Sequence, residues 1–185
     1  MLKLLGISGS LRRGSYNSAL LRAATGLMPA DATLEVASIR AIPLYDGDVE
    51  AQGIPAAVSE LKEAVVAAAG VLLVTPEYNN SIPGVFKNAI DWLSRPSSDV
   101  KRVFRGRPFA VIGASPGGFG TTLSQAAWLP VLRTLGAQFW AGGRLQVSRA
   151  ATVFDEAGNL MDPAIEEQLK QFLAGYAQFV RRAAV

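Results

Sequence analysis

The stretch LLGISGSLRRGSYNSALLRAA, Leu4 to Ala24, passes from an apolar run through glycines and serines into a helical pattern. That order is a strand handing over to a helix, and it sets the rhythm for the chain. Leu2 to Ile7 reads as a short buried strand. Asn17 to Met28 reads as a helix, with Ser15 or Asn17 placed to cap its first amides.

The alternation continues outward. Thr33 to Ile39 alternates apolar and polar residues like a strand. Pro55 to Ala69 spaces Val58, Leu61, Val65 and Val66 as on a helix face, with Pro55 suited to the first turn and Gly70 ending it. Val71-Leu72-Leu73-Val74 has the composition of a strand buried on both faces. A helix over Val85 to Leu93, a strand over Pro108 to Gly113 and a helix over Thr121 to Leu135 follow. Pro130 is expected to kink or split that helix. A fifth strand lies within Gln138 to Val147, and Pro163 to Arg182 forms a long amphipathic helix behind a capping Asp162.

Five strands alternating with helices specify a parallel sheet with right-handed crossovers and helices on both faces. In strand order 2-1-3-4-5, ligands bind beyond the carboxyl ends of strands one and three. Three loops meet there: Gly9 to Tyr16, Thr75 to Gly84 and Ser115 to Gly120. The 185 residues form one domain, 1–185, with no repeat or linker.

Composition narrows the chemistry. The chain has no cysteine and no histidine, which excludes disulfides, thiolate nucleophiles, thiolate or imidazole metal sites and any triad with a histidine base. No metal site is expected. The longest apolar run, Ala64 to Val74, falls short of the about 20 residues that span a bilayer, so a cytoplasmic protein with no membrane segment is expected. The net charge is +3, but the basic residues are dispersed and not interleaved with aromatics, so no nucleic-acid partner is expected.

The first loop lacks Gly-Lys-Ser/Thr, and its glycines at 6, 9 and 14 miss the G-x-G-x-x-G spacing. It crowds Ser8, Ser10, Arg12, Ser15 and Asn17 at a helix N-terminus, where amides and dipole favour an anion. Two readings stand level there: a nest for one monophosphate, or a plain capped turn with a surface arginine. In PEYNNSIPG (Pro76 to Gly84), Tyr78 is placed to set its ring against a flat cofactor. An ion pair at Glu77 and a packed surface ring at Tyr78 are the structural alternatives. Gly113-Ala114-Ser115-Pro116-Gly117 fits the G-x-S-x-G elbow, but without histidine the hydrolase reading fails. Ser115 and its glycines instead let backbone amides approach a ligand edge. Lys87 and Asp91 are spaced to pair along a helix, Trp92 is expected at a subunit contact, and Phe104, Phe109, Trp128, Phe139 and Trp140 in the core or an interface.

GSLRRGSYN (Gly9 to Asn17), IPLYD (Ile42 to Asp46) and TPEYNNSIPGVFKNAIDWLSR (Thr75 to Arg95) together resemble the NAD(P)H-dependent FMN reductases, particularly their bacterial quinone and chromate reductase branch. The resemblance implies a flavodoxin-like three-layer α/β sandwich that binds FMN non-covalently. It implies that Ser10, Arg12, Ser15 and Asn17 cradle the FMN phosphate, with Leu11 and Tyr16 of the same loop also binding the cofactor. Pro76, Glu77, Tyr78 and Asn79 would meet the ring, and Ser115, Gly117 and Gly118 would close its other edge. It further implies a homodimer or homotetramer with the flavin near the subunit interface. Flavin chemistry needs no protein nucleophile. The expected cycle is therefore ping-pong, with NAD(P)H as co-substrate and quinones, azo or nitro compounds or chromate as acceptors. Backbone amides near Asn79 and Ser115 are expected to stabilise charge on the reduced ring. A non-enzymatic electron carrier of flavodoxin type is the alternative. Such carriers dock through acidic faces, and the sequence pI near 9.4 argues against one.

Overall fold

The computed structural model describes residues 1–183. The chain builds β1 (Leu2–Ser8), α1 (Tyr16–Gly26), β2 (Ala32–Ala37), α2 (Gly47–Gln52), α3 (Ala56–Ala67), β3 (Gly70–Val74) and α4 (Gly84–Leu93). It continues with α5 (Val100–Val103), β4 (Pro108–Ala114), α6 (Thr122–Thr134), β5 (Gln138–Phe139), β6 (Gln146–Val147), α7 (Ala150–Val153) and α8 (Pro163–Ala183). The strands run in the order β2-β1-β3-β4-β5, all parallel, with β6 also pairing β4. The expected order 2-1-3-4-5 is the one found, and the fold is a flavodoxin-like α/β sandwich.

Successive side chains of a strand point to opposite faces, and this divides the core in two. Leu4, Leu72, Ala110 and Ile112 pack with Leu20, Leu21, Leu173 and Tyr176 of α1 and α8. Leu5, Ile7, Val71, Leu73 and Val111 pack with Val65, Phe86, Ile90 and Trp128 of α3, α4 and α6. Each such aliphatic side chain contributes about 1.5–3 kcal/mol when fully buried. The Tyr176 hydroxyl, sealed inside, donates to the carbonyls of Val71 and Pro108 at 2.9 and 3.0 Å, and burial pushes its pKa up.

Four elements depart from expectation. Helix α6 is not split at Pro130 but continues through it as one element. Pro130 and Ala126, whose carbonyl it leaves without a donor, are both exposed, so water can replace the missing bond, while Trp128 and Leu132 anchor the buried side. Helix α3 ends at Ala67, and Gly70 opens β3 instead of ending the helix. A Cβ on Gly70 would lie 2.7 Å from the Tyr176 hydroxyl. The fifth strand is split into β5 and β6. Between them Trp140 packs over Gly142 and Gly143, where Cβ atoms would come within 2.6 and 2.7 Å of its ring system. Trp92 is fully buried, with its indole N–H donating to the Pro43 carbonyl at 2.9 Å. It therefore pins residues 43–45 onto α4 and makes no subunit contact. Lys87 and Asp91 do pair, at 2.7 Å.

Candidate active site

Where β1, β3 and β4 end, the three loops surround a cavity of about 540 Å³ lined by Ser10, Arg12, Ser15, Tyr16, Asn17, Pro76, Glu77, Tyr78, Ala114, Ser115 and Pro116. Nine of the thirteen residues expected at a site meet here. Leu11, Asn79, Gly117 and Gly118 do not line the cavity.

The first loop is held by its own serines. The Ser10 amide donates to Ser8 Oγ, and the Arg12 amide to Ser10 Oγ, both at 3.4 Å. Ser15 is the N-cap of α1: its Oγ accepts from the amides of Asn17 and Ser18 at 3.2 and 3.3 Å. The amides of Leu11, Arg13, Gly14 and Ser15 make no hydrogen bond among the described residues. Arg12 donates to the Gly14 carbonyl at 2.8 Å, and its guanidinium lies 5.9 Å from the Tyr16 ring centre. Free amides, a helix N-terminus, a serine hydroxyl and an exposed guanidinium make a donor set that fits a phosphate monoester. Asn17 serves otherwise. It is buried, and its amide exchanges two hydrogen bonds of 2.8 Å with the backbone of Ala114, so its side chain braces the cradle from behind.

The second loop is a two-residue turn. Tyr78 and Ser81 exchange backbone hydrogen bonds at 3.1 and 3.0 Å, and Asn79 and Asn80 take φ of 49° and 61°. Asparagine tolerates this left-handed backbone better than most residues, so the pair forms the turn and Asn79 stands at its tip, off the cavity wall. Tyr78 is left 48% exposed at the cavity edge. Glu77 makes no ion pair among the described residues; its carboxylate accepts from the amides of Leu123 and Ser124 at 2.8 and 2.9 Å, capping α6. Behind it Thr75 Oγ1 lies 2.9 Å from Ser124 Oγ and accepts from Trp128 at 3.2 Å, fixing the loop to the same helix.

The third loop differs from expectation in its amides. The Ser115 amide donates to Val147 at 2.9 Å, and the Gly117 amide to Ser115 Oγ at 3.2 Å. Neither is free to stabilise charge on a bound ring: splitting the fifth strand brings β6 alongside to engage the first, and the Ser115 hydroxyl engages the second. Ala114 and Pro116 line the cavity where the sequence offered no polar signal for them. Among the described residues no cluster of carboxylates is arranged to hold a metal ion.

A parallel sheet in this order, with a donor set that fits a phosphate beside a cavity at its switch point, is the architecture of flavodoxin-like flavoproteins. Residues 2–152 match the family model described as NADPH-dependent FMN reductase, and the chain belongs to that family. It is a flavin-dependent oxidoreductase with FMN as cofactor and NAD(P)H as electron donor. An NAD(P)H-dependent FMN reductase of Pseudomonas aeruginosa is 45% identical over 181 residues, 98% of this chain and 96% of that one. A 2-hydroxy-1,4-benzoquinone reductase of a Burkholderia species is 36% identical over 180 residues, 97% of each chain. The solved structure of FerB, an NAD(P)H:(acceptor) oxidoreductase of Paracoccus denitrificans, superposes with a TM-score of 0.89 at 30% identity, covering 99% of each chain.

Proposed function

We propose that FMN lies along this cavity, with its phosphate on the loop from Ser10 to Asn17 and its ring between Pro76–Tyr78 and Ser115. There it passes electrons from NAD(P)H to quinones and to other small acceptors of azo, nitro or chromate type. One observation carries the reading: the phosphate cradle and the Tyr78 edge open into a single cavity of about 540 Å³. Bound FMN supplies the hydride and electron chemistry that no side chain here offers. The chain's own residues hold and orient. Ser15, Arg12 and the loop amides bind the phosphate, Asn17 sets the distance between the first and third loops, and Glu77 fixes the Tyr78 loop to α6.

Donor and acceptor use the same open side by turns, which makes the cycle ping-pong. The quinone reductase names among the relatives favour quinones as acceptors. Tyr78 on the cavity wall is 48% exposed, and Phe119 in the third loop and Leu123 in the first turn of α6 are 87 and 49% exposed, apolar surface suited to a second subunit near the flavin in a homodimer or homotetramer. The cysteine-free chain acts as one FMN-binding domain in the cytoplasm, and no helix among the described residues is long and apolar enough to cross a membrane. The test is anaerobic titration of FMN-loaded protein with NADH and NADPH. Bleaching of the flavin band, with colour restored by a quinone and continuous NAD(P)H turnover, is expected. Protein that retains no FMN and oxidises neither nicotinamide overturns the reading. Bleaching without turnover by the protein alone leaves a carrier instead.

A further inference from the structure

On the β2 side of the phosphate loop lies a second concavity, of about 280 Å³, that the flavin reading does not use. Four arginines line it, Arg12, Arg13, Arg22 and Arg40, and no carboxylate does; the Arg22 guanidinium also reaches Gly158, outside the cleft. None of the four forms an ion pair among the described residues. Arg40 donates to the Leu11 carbonyl, and its amide to Ser38 Oγ at 3.2 Å, so one guanidinium is anchored at the rim. The guanidiniums of Arg13 and Arg22 make no hydrogen bond with the described residues, though the Arg22 carbonyl accepts from Thr25 Oγ1 at 2.7 Å.

Four like charges around one small hollow repel one another, and an anion bound among them relieves that repulsion. Apolar side chains share the lining with serines: Leu21 is buried, but Val36, the penultimate residue of β2, is 58% exposed. Exposed aliphatic surface beneath a ring of guanidiniums suits a ligand with a flat heterocycle and more than one phosphate charge. Ser10 and Arg12 also line the flavin cavity, so a ligand here lies end to end with whatever occupies that cavity.

We infer that this cleft receives the phosphorylated adenosine end of NADPH, with Arg13, Arg22 and Arg40 reading the 2′-phosphate and Val36 carrying the purine. The inference rests on the reading that the nicotinamide end works at the adjoining cavity. A dinucleotide has the required parts in order: a ring for the flavin cavity, a pyrophosphate to pass Arg12, and a phosphorylated purine nucleoside for the cleft. NADH lacks the 2′-phosphate that the three arginines hold.

The test uses FMN-loaded protein and isothermal titration with adenosine 2′,5′-bisphosphate, 5′-AMP and inorganic phosphate. The bisphosphate is expected to bind at least about tenfold more tightly than 5′-AMP. The double variant Arg13→Gln, Arg22→Gln should abolish that difference while the bound-flavin spectrum stays unchanged. In turnover, the ratio of kcat/KM for NADPH to that for NADH should fall about tenfold in this variant, with the NADH value within about twofold of the parent. Replacing both arginines with lysine should restore most of the ratio. Equal binding of bisphosphate and 5′-AMP, or an equal loss for both nicotinamides, overturns the inference. So does inorganic phosphate binding as tightly as the bisphosphate, which would make the cleft a general anion site. The two readings fail separately. Protein that oxidises both nicotinamides but does not discriminate the bisphosphate sinks the cleft alone; protein that discriminates it but oxidises neither nicotinamide sinks the catalytic reading.

Discussion

Asn17 and Ala114, 97 residues apart, hold each other by two hydrogen bonds of 2.8 Å, the Asn17 side chain both donating to and accepting from one peptide backbone. The pair ties the N-terminus of α1, where the phosphate cradle lies, to the end of β4, where the third loop departs. Asn17→Ala removes both bonds and leaves a buried N–H and C=O unpaired. We expect a loss of about 2–4 kcal/mol, a fall in Tm of roughly 5–15 °C, and weaker FMN binding in consequence. Asn17→Asp keeps the acceptor but turns a carboxylate toward the Ala114 carbonyl, and should be no better. An alanine variant with the parent's Tm but no FMN affinity would instead make Asn17 a direct phosphate ligand.

Arg12 is the charged member of the cradle, and among the described residues its guanidinium makes only a carbonyl contact with Gly14 and an approach to Tyr16. Arg12→Ala should therefore leave Tm nearly unchanged in the absence of flavin. If the guanidinium bonds the phosphate, FMN affinity falls by about 1.5–3 kcal/mol. Flavin fluorescence titration measures it, and unchanged affinity would return Arg12 to the role of a surface residue.

Gly113 stands where β4 passes the Thr75 loop. A Cβ there would lie 2.1 Å from the Thr75 carbonyl oxygen and 2.3 Å from Thr121 Oγ1. The carbonyl belongs to the backbone and cannot swing aside, so Gly113→Ala must push β4 away from the loop that carries Glu77 and Tyr78. Overpacking of this kind costs about 1–3 kcal/mol, and FMN binding should suffer with it. Gly26→Ala, at the last residue of α1 with nothing within 4 Å of the new Cβ, is the control and should be neutral or stabilising. Urea midpoints compare the two.

What the sequence made legible is what local physics controls. Val71 to Val74 reads as a doubly buried strand because a parallel sheet demands apolar residues on both faces, and Ser15 reads as a cap because the helical pattern begins just after it. What stayed hidden depends on partners distant in sequence. Glu77 caps a helix 46 residues away, and Trp92 finds its acceptor in Pro43, 49 residues back. The split of the fifth strand follows from the space Trp140 needs over two glycines. Helix α2 buries no residue and so shows no apolar period; only the Asp46 cap, accepting from Asp48 at 2.8 Å, marks its start. At the site, the cradle was visible as a cluster of donors. The engagement of the Ser115 amide by Val147 was not, because strand pairing cannot be read from either segment alone.

Lys62 offers a prediction in pH. Its ammonium is buried, donating to the Arg95 carbonyl at 2.6 Å and to Asp99 at 2.8 Å. The Lys62 hydrogen bond, foremost, holds the Asp99 carboxyl below its ordinary pKa, and Arg102 adds to the effect from 3.5 Å. A carboxyl whose folded pKa is depressed contributes its stabilisation in full above the unfolded value, near 3.9, and loses it as pH falls through the folded value. Asp99→Asn removes the charge while keeping the shape, leaving a buried ammonium with no full counter-charge. At pH 7 it should cost about 1–3 kcal/mol, less than a wholly buried pair because the carboxylate is partly solvated. As the parent's own carboxyl takes up its proton below about pH 4, parent and variant should converge. Urea midpoints at pH 7, 5, 4 and 3 follow the gap between them. A gap that persists undiminished at pH 3 would mean that the carboxylate's charge is not what stabilises this corner of the fold.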